Sequence, residues 1–238
     1  MDEPNIVFII AYVYNKNFIS YINYYIDNIN KFYKNAAILI VDNNPNNPDK
    51  FNITKSNNIT IIPNNTNCKL EVGAYKCGLN YLQDNNLLYD YYICTQETFI
   101  IKNKYDFNFL KNSNIKACTI YSFNYDYHDH EYCCEILNKI GLYHTLEDIM
   151  CCWCNSFILH QTVINEFLFI TKDIILTEKR DSHIAERYLG AILYKLNDYK
   201  NVDIDGNMKN RNYDCWSVNL LDNNHAHYFM KRVQLKPI

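Results

Sequence analysis

The chain has 238 residues, a formal net charge of −3, and a composition that is 48% hydrophobic and 15% aromatic. That length suits one large α/β domain, and the apolar share excludes a disordered chain. The small negative charge leaves no basic field for nucleic acid, and 5 glycines and 5 prolines are too few for a sandwich dense in tight turns.

Residues 5–13 are almost wholly apolar and predict a buried first strand. The run "IVFIIAYVY" (6–14) is too short to cross a bilayer and lacks a cationic leader and a small-residue cleavage site. No signal peptide or transmembrane segment is therefore expected, and a cytoplasmic location is. Residues 17–34 carry Phe18, Ile22, Tyr25, Ile26, Ile29, Phe32 and Tyr33 at helical spacing. "AAILIV" (36–41) is a continuous apolar run of the kind covered on both faces of a parallel sheet. It ends in the polar turn Asp42-Asn43-Asn44-Pro45. Residues 59–63 predict a third strand, 70–83 a second helix, and "YDYYICT" (89–95) a fourth strand.

This β-α-β-β-α-β alternation predicts an open, mostly parallel sheet with helices on its faces. Ligands of such sheets collect outside the carboxyl ends of the strands. Three polar clusters follow strand ends: Tyr12 to Asn15, Asp42 to Asn44, and Thr95 to Thr98. They are distant in sequence and should converge in space. In the last of them, Gln96 and Glu97 interrupt an apolar stretch. A carboxylate there marks either a solvated turn or a place where it meets a cation or ligand.

The second half is less regular. Residues 116–123 predict a strand, 124–135 a polar and aromatic loop, and 152–168 a strand leading into a helix. Residues 181–196 are amphipathic, with a stripe through Ala185, Tyr188, Leu189, Ile192, Leu193 and Leu196. Glu186 borders that stripe, and Arg187 is expected to point away from it. Residues 200–206 predict a short strand and turn. The ten cysteines include Cys151, Cys152 and Cys154, whose spacing does not match a zinc knuckle. They read as reduced, mostly buried thiols. Three N-x-T sequons (Asn52, Asn58, Asn64) are expected by chance in so Asn-rich a chain. No repeat or linker appears, so residues 1–238 are expected to form a single domain.

The ordered set of motifs resembles the GT-A class of glycosyltransferases. It comprises strand ends at Ala11-Tyr12 and Val41-Asp42-Asn43, the segment Asn67, Glu71, Gly73, Ala74, Gly78, Leu79, the strand "YDYYICTQETFIIKN", then "CNSFILH", "HIAERYLGAIL" and "HYFMKR". The resemblance implies a Rossmann-like core that binds a nucleotide-sugar donor (1–103) and an acceptor-binding half (104–238). It assigns Ala11, Tyr12, Asp42, Gly73, Ala74 and Gln96 to the donor, which is expected to be a UDP-sugar or similar. A glycan or glycosylated acceptor would bind near Trp153 and Asn155. Glu186, with Asp181 as second candidate, would be the general base. The family's two metal-binding aspartates are absent; Thr95, Gln96 and Glu97 stand in their place. Mn²⁺ or Mg²⁺ would then rest on Glu97 with His225 or His227. Alternatively, metal-independent transfer would use cations such as Lys231 and Arg232. The eroded motif also permits a protein that binds nucleotide sugar or glycan without turnover.

Overall fold

The computed structural model describes residues 3–13, 19–44, 53, 56–97, 99–101, 104, 107, 114–122, 130–139, 141–142, 150–198, 200 and 229–231. The elements in chain order are β1 (Ile6–Tyr12), α1 (Ile19–Phe32), β2 (Ala37–Asp42), β3 (Ile59–Pro63), α2 (Leu70–Asp84), β4 (Tyr91–Gln96) and β5 (Phe99–Ile101). They continue with β6 (Ile115–Ser122), α3 (His130–Lys139), β7 (Met150–His160), α4 (Ile164–Thr171), α5 (Lys179–Leu196) and β8 (Phe229–Lys231).

The central sheet has six strands in the order β3-β2-β1-β4-β7-β6. The first four are parallel. β7 runs antiparallel to both β4 and β6. The fold is thus α/β, with a mostly parallel sheet flanked by helices. Every residue of β1 is buried. Side chains alternate along a strand, so β1 feeds two cores. Val7, Ile9 and Ala11 pack with α2, α4 and α5 on one face. Ile6, Phe8, Ile10 and Tyr12 pack with α1 on the other.

The chain builds outward from β1 to β2 and β3, then returns through α2 to place β4 on the far side of β1. β1 and β4 therefore flank the point where the strand order reverses, and the crevice at such a point opens at the carboxyl ends of the strands. α2 reaches the sheet closely because of Gly78. A Cβ there would lie 2.7 Å from Ile9 Cγ2, 3.2 Å from Val41 Cγ2 and 3.3 Å from Leu39 Cδ2. On its other side α2 is tied to α4. Lys76 Nζ donates to the carbonyls of Thr171 (2.6 Å), Lys172 (3.2 Å) and Ile174 (2.9 Å), satisfying acceptors left open at the end of α4.

Three expectations need correction. Part of the stretch expected to be a loop, from His130 onward, is the start of α3, held by Cys133 and Leu137 in the core. A short strand, β5, follows the β4 turn and pairs antiparallel with β8. Arg187 does not point into solvent: it is 6% exposed. Two sequons also have their amides engaged. Asn64 is 1% exposed, and Asn58 Nδ2 donates to Asn30 Oδ1 and the Ala36 carbonyl. Residues 201–206 of the expected 200–206 turn lie outside the described residues. Among the described residues no helix is long and apolar enough to cross a membrane.

Gly78→Val forces the α2 backbone off β1 and β2. Overpacking of this kind costs about 1–3 kcal/mol, which exceeds what a helix gains from losing a mid-helix glycine, about 1 kcal/mol. Urea denaturation of the variant is expected to show a lower midpoint at unchanged slope.

Candidate functional site

Strand register brings the described parts of the predicted strand-end clusters together; Tyr14, Asn15 and Thr98 lie outside the described residues. Tyr12 lies opposite Asp42 and Ala11 opposite Gln96, so the carboxyl ends of β2, β1 and β4 stand side by side. Asp42 is buried; its Oδ1 accepts from the Asn44 backbone N–H at 2.9 Å, and its carbonyl accepts from Asn64 N at 2.8 Å. The first bond is the short-range turn that Asp side chains favour. Asparagines then lace these strand ends to α2. Asn43 N donates to the Tyr12 carbonyl (2.8 Å) and Asn43 Nδ2 to the Leu70 carbonyl (3.0 Å). Asn64 Nδ2 donates to Asn43 Oδ1 (2.7 Å) and to the Cys68 carbonyl (2.9 Å). Gly73 is required by this lacing, because a Cβ on it would sit 2.0 Å from the Cys68 carbonyl oxygen. Ala74 beside it is wholly buried in the core.

The start of α2 carries the next link. Leu70 has φ 60°, a conformation that costs a side-chain-bearing residue about 1–2 kcal/mol. Glu71, next in sequence, uses both carboxylate oxygens. Oε1 accepts from Gln96 Nε2 at 2.7 Å, and Oε2 accepts from Ser182 Oγ at 2.9 Å. Asn155 Nδ2 in turn donates to the Ser182 carbonyl and Oγ, each at 3.3 Å. One chain of hydrogen bonds thus links the end of β4, the first turn of α2, the first turn of α5 and the middle of β7.

β7 is bulged where it meets this chain. Ala117 pairs with Phe157 and Thr119 with Cys152, so Cys118 of β6 faces Trp153, Cys154, Asn155 and Ser156 of β7. Cys154 and Asn155 both have φ 52°, in the left-handed region. Bulges of this kind re-aim side chains and recur beside active sites. Glu186 braces this one: its Oε1 accepts from the Cys154 backbone N–H at 2.7 Å. Asn155 is wholly buried and its Oδ1 has no hydrogen-bond partner. Asp181 is placed differently. Its Oδ2 accepts from the backbone N–H groups of Thr177 (2.7 Å) and Glu178 (2.9 Å), which caps the start of α5.

Glu97 stands half-buried in the turn after β4. The β5–β8 pairing sets Lys231 opposite Phe99, two residues beyond Glu97 in sequence. His225, His227 and Arg232 lie outside the described residues, and of Trp153 only the backbone is described. Among the described residues no group of three His, Cys, Asp or Glu side chains is placed to hold a metal ion. Cys68, Cys77, Cys94 and Cys133 are thiols that form no disulfide. Burial pushes Cys133 up to about 12, with the neighbouring Cys134 adding to the rise, so at neutral pH it is a packed thiol rather than a nucleophile.

Sequence reasoning gave no role to Glu71, Ser182, Asn43 or Asn64. Glu71 stood in the quoted motif, but its partners Gln96 and Ser182 lie 25 and 111 residues away. No local pattern joins them.

Glu186 separates a brace from a base by mutation. Glu186→Gln keeps an oxygen for Cys154 N, so its unfolding free energy is expected to stay near that of the unmodified chain. Glu186→Ala leaves that buried N–H unpaired and is expected to cost about 1–3 kcal/mol in denaturant titration.

No family model matches the chain, and no curated protein matches it. Among solved structures it is similar to a galactosyltransferase, LgtC, crystallised with donor and acceptor sugar analogues. The identity is 12%, the TM-score is 0.38, and the match covers 79% of this chain and 70% of that one. A likeness of that size identifies neither a reaction nor a residue.

Proposed function

We propose that the chain is a glycosyltransferase that moves a sugar from a nucleotide-sugar donor, a UDP-sugar or similar, to an acceptor hydroxyl. The observation that carries this reading is the side-by-side placement of Tyr12, Asp42 and Gln96 at the carboxyl ends of three parallel strands, where the strand order reverses. A nucleotide in that crevice would find Ala11, Tyr12 and Asp42 on one side. Its diphosphate would lie toward the turn at Gln96 and Glu97, with Gly73 and Ala74 behind.

In the proposed reaction an acceptor hydroxyl oxygen bonds to the anomeric carbon as the bond from that carbon to the diphosphate breaks. The hydroxyl proton passes to the Glu186 carboxylate, which stands at the β7 bulge. Asn155 and Trp153 belong to the same bulge, on the acceptor side. The charge left on the diphosphate is met by Lys231, which β8 carries to the β5 edge.

A resident divalent metal fits the described residues poorly. Glu97 offers one carboxylate, Gln96 a neutral amide already donating to Glu71, and no third ligand is grouped with them. That Glu97 is the one carboxylate in the described part of the β4 turn also favours one second reading, a protein that binds nucleotide sugar without turning it over.

A thermal-shift screen of nucleotide sugars, with Mn²⁺ and with EDTA, tests the reading. A ligand at a hundredfold excess over its Kd stabilises by about 2.7 kcal/mol. For a chain of this size that raises Tm by roughly 5–10 °C. Asp42→Ala is expected to abolish the shift, and Lys231→Ala to reduce donor hydrolysis at least tenfold. If no nucleotide or nucleotide sugar shifts Tm, the reading is wrong. A shift without hydrolysis or transfer selects the binding protein. A shift that survives EDTA and Glu97→Ala excludes a metal role in donor binding.

A further inference from the structure

Five described residues other than glycine have positive φ: Leu70, Asn86, Cys154, Asn155 and Asp198. Two have an ordinary cause. Asn86 and Asp198 follow the last turns of α2 and α5, where helices commonly end on a left-handed residue. The other three end no helix. Leu70 precedes Glu71, and Cys154 and Asn155 form the bulge that Ser182 and Glu186 hold. Among the described residues, the positive-φ positions that end no helix therefore all adjoin one hydrogen-bond chain, Gln96–Glu71–Ser182–Asn155. Strain of this kind persists only where surrounding contacts over-determine it, and it gathers at functional sites. At the far end of the chain stands the wholly buried and unpartnered Oδ1 of Asn155, one of four such side-chain atoms among the described residues. Buried polar atoms are satisfied almost everywhere else in proteins.

We propose that Glu71 is a positioning residue that sets both sides of the crevice at once, fixing the Gln96 amide on the donor side and, through Ser182, the Asn155 bulge on the acceptor side. A carboxylate suits this task because it only accepts. Its two oxygens take one donor from each side, so neither partner can turn without the other's anchor shifting. The naming of the two sides rests on the glycosyltransferase reading; the coupling itself does not.

The test exchanges the charge between the two ends of the Glu71–Gln96 bond. Gln96→Glu places a carboxylate against Glu71 and breaks the chain. Adding Glu71→Gln restores an amide-to-carboxylate bond in the reverse sense and leaves an oxygen for Ser182. The primary readout is the side-chain amide signal of Asn155 in ¹H–¹⁵N spectra of the full chain. Gln96→Glu is expected to move it, although no direct bond joins the two side chains, and the double variant is expected to return it. The proposal is overturned if Gln96→Glu leaves the Asn155 signal in place, or if the double variant fails to return it. Should Gln96→Glu not fold, Ser182→Ala serves instead. It is expected to move the Gln96 side-chain amide, and an unmoved signal overturns the proposal equally. As a second readout, donor hydrolysis in Ser182→Ala is expected to lose kcat at least fivefold with KM within twofold; unchanged kcat overturns the positioning role. If the unmodified chain hydrolyses no nucleotide sugar, the functional reading falls and the spectra alone decide the coupling.

Discussion

The parallel pairing of β1 on both of its edges is the constraint from which the rest of the structure follows. β1 is apolar throughout and buried on both faces, so its register against β2 and β4 is fixed by two cores at once. A slip of one residue would turn each core side chain to the opposite face. With the register held, Tyr12 must meet Asp42 and Ala11 must meet Gln96. The side-by-side strand ends are thus a consequence of hydrophobic burial several residues upstream. Gly78 sharpens the same constraint by letting α2 lie against Ile9, Leu39 and Val41. The close approach of that helix brings its first turn, and Glu71 with it, under the end of β4.

Much of the first half was legible in the sequence because its signals are local. The apolar runs of β1 and β2, the spacing of α1, and the bounds of β3 each depend on a few adjacent residues, and the structure places them as read. The convergence of the strand-end clusters also followed, since parallel alternation leaves those ends on one edge. What escaped was non-local or masked by residue type. The three residues of β5 become a strand only by pairing with β8, far along the chain. α3 begins inside a stretch of His, Tyr, Asp and Glu whose polar side chains hide its inward positions, Cys133 and Leu137. Arg187 was sent to solvent because a helical wheel sorts residues by polarity, whereas long charged side chains can bury against a core. Its charge draws the Cys133 thiol down against the larger effect of burial.

The site shows the same division. The positions of Asp42 and Gln96 at adjacent strand ends were legible because strand ends are predictable places. The border position of Glu186 was legible from its helix, yet the bond it makes, to the backbone of Cys154, depends on a bulge that β7 acquires only against β6. Asn43 and Asn64 could not stand out in an Asn-rich chain, although together they join the ends of β1 and β2 to the start of α2.

Glu71 also accounts for the residue type at position 96. The end of β4 carries Gln at this position, beside Glu97 in the turn that follows. With Glu71 Oε1 at 2.7 Å from Gln96 Nε2, position 96 has to donate. An aspartate or glutamate in that place would set two carboxylates against each other. One would have to take a proton, or the pair would separate and release Ser182 and the β7 bulge with it. An amide resolves the conflict, since it donates to Glu71 and keeps an oxygen of its own. Gln96 and Glu71 are two halves of one arrangement, in which an amide stands at the strand end and a carboxylate sits behind it.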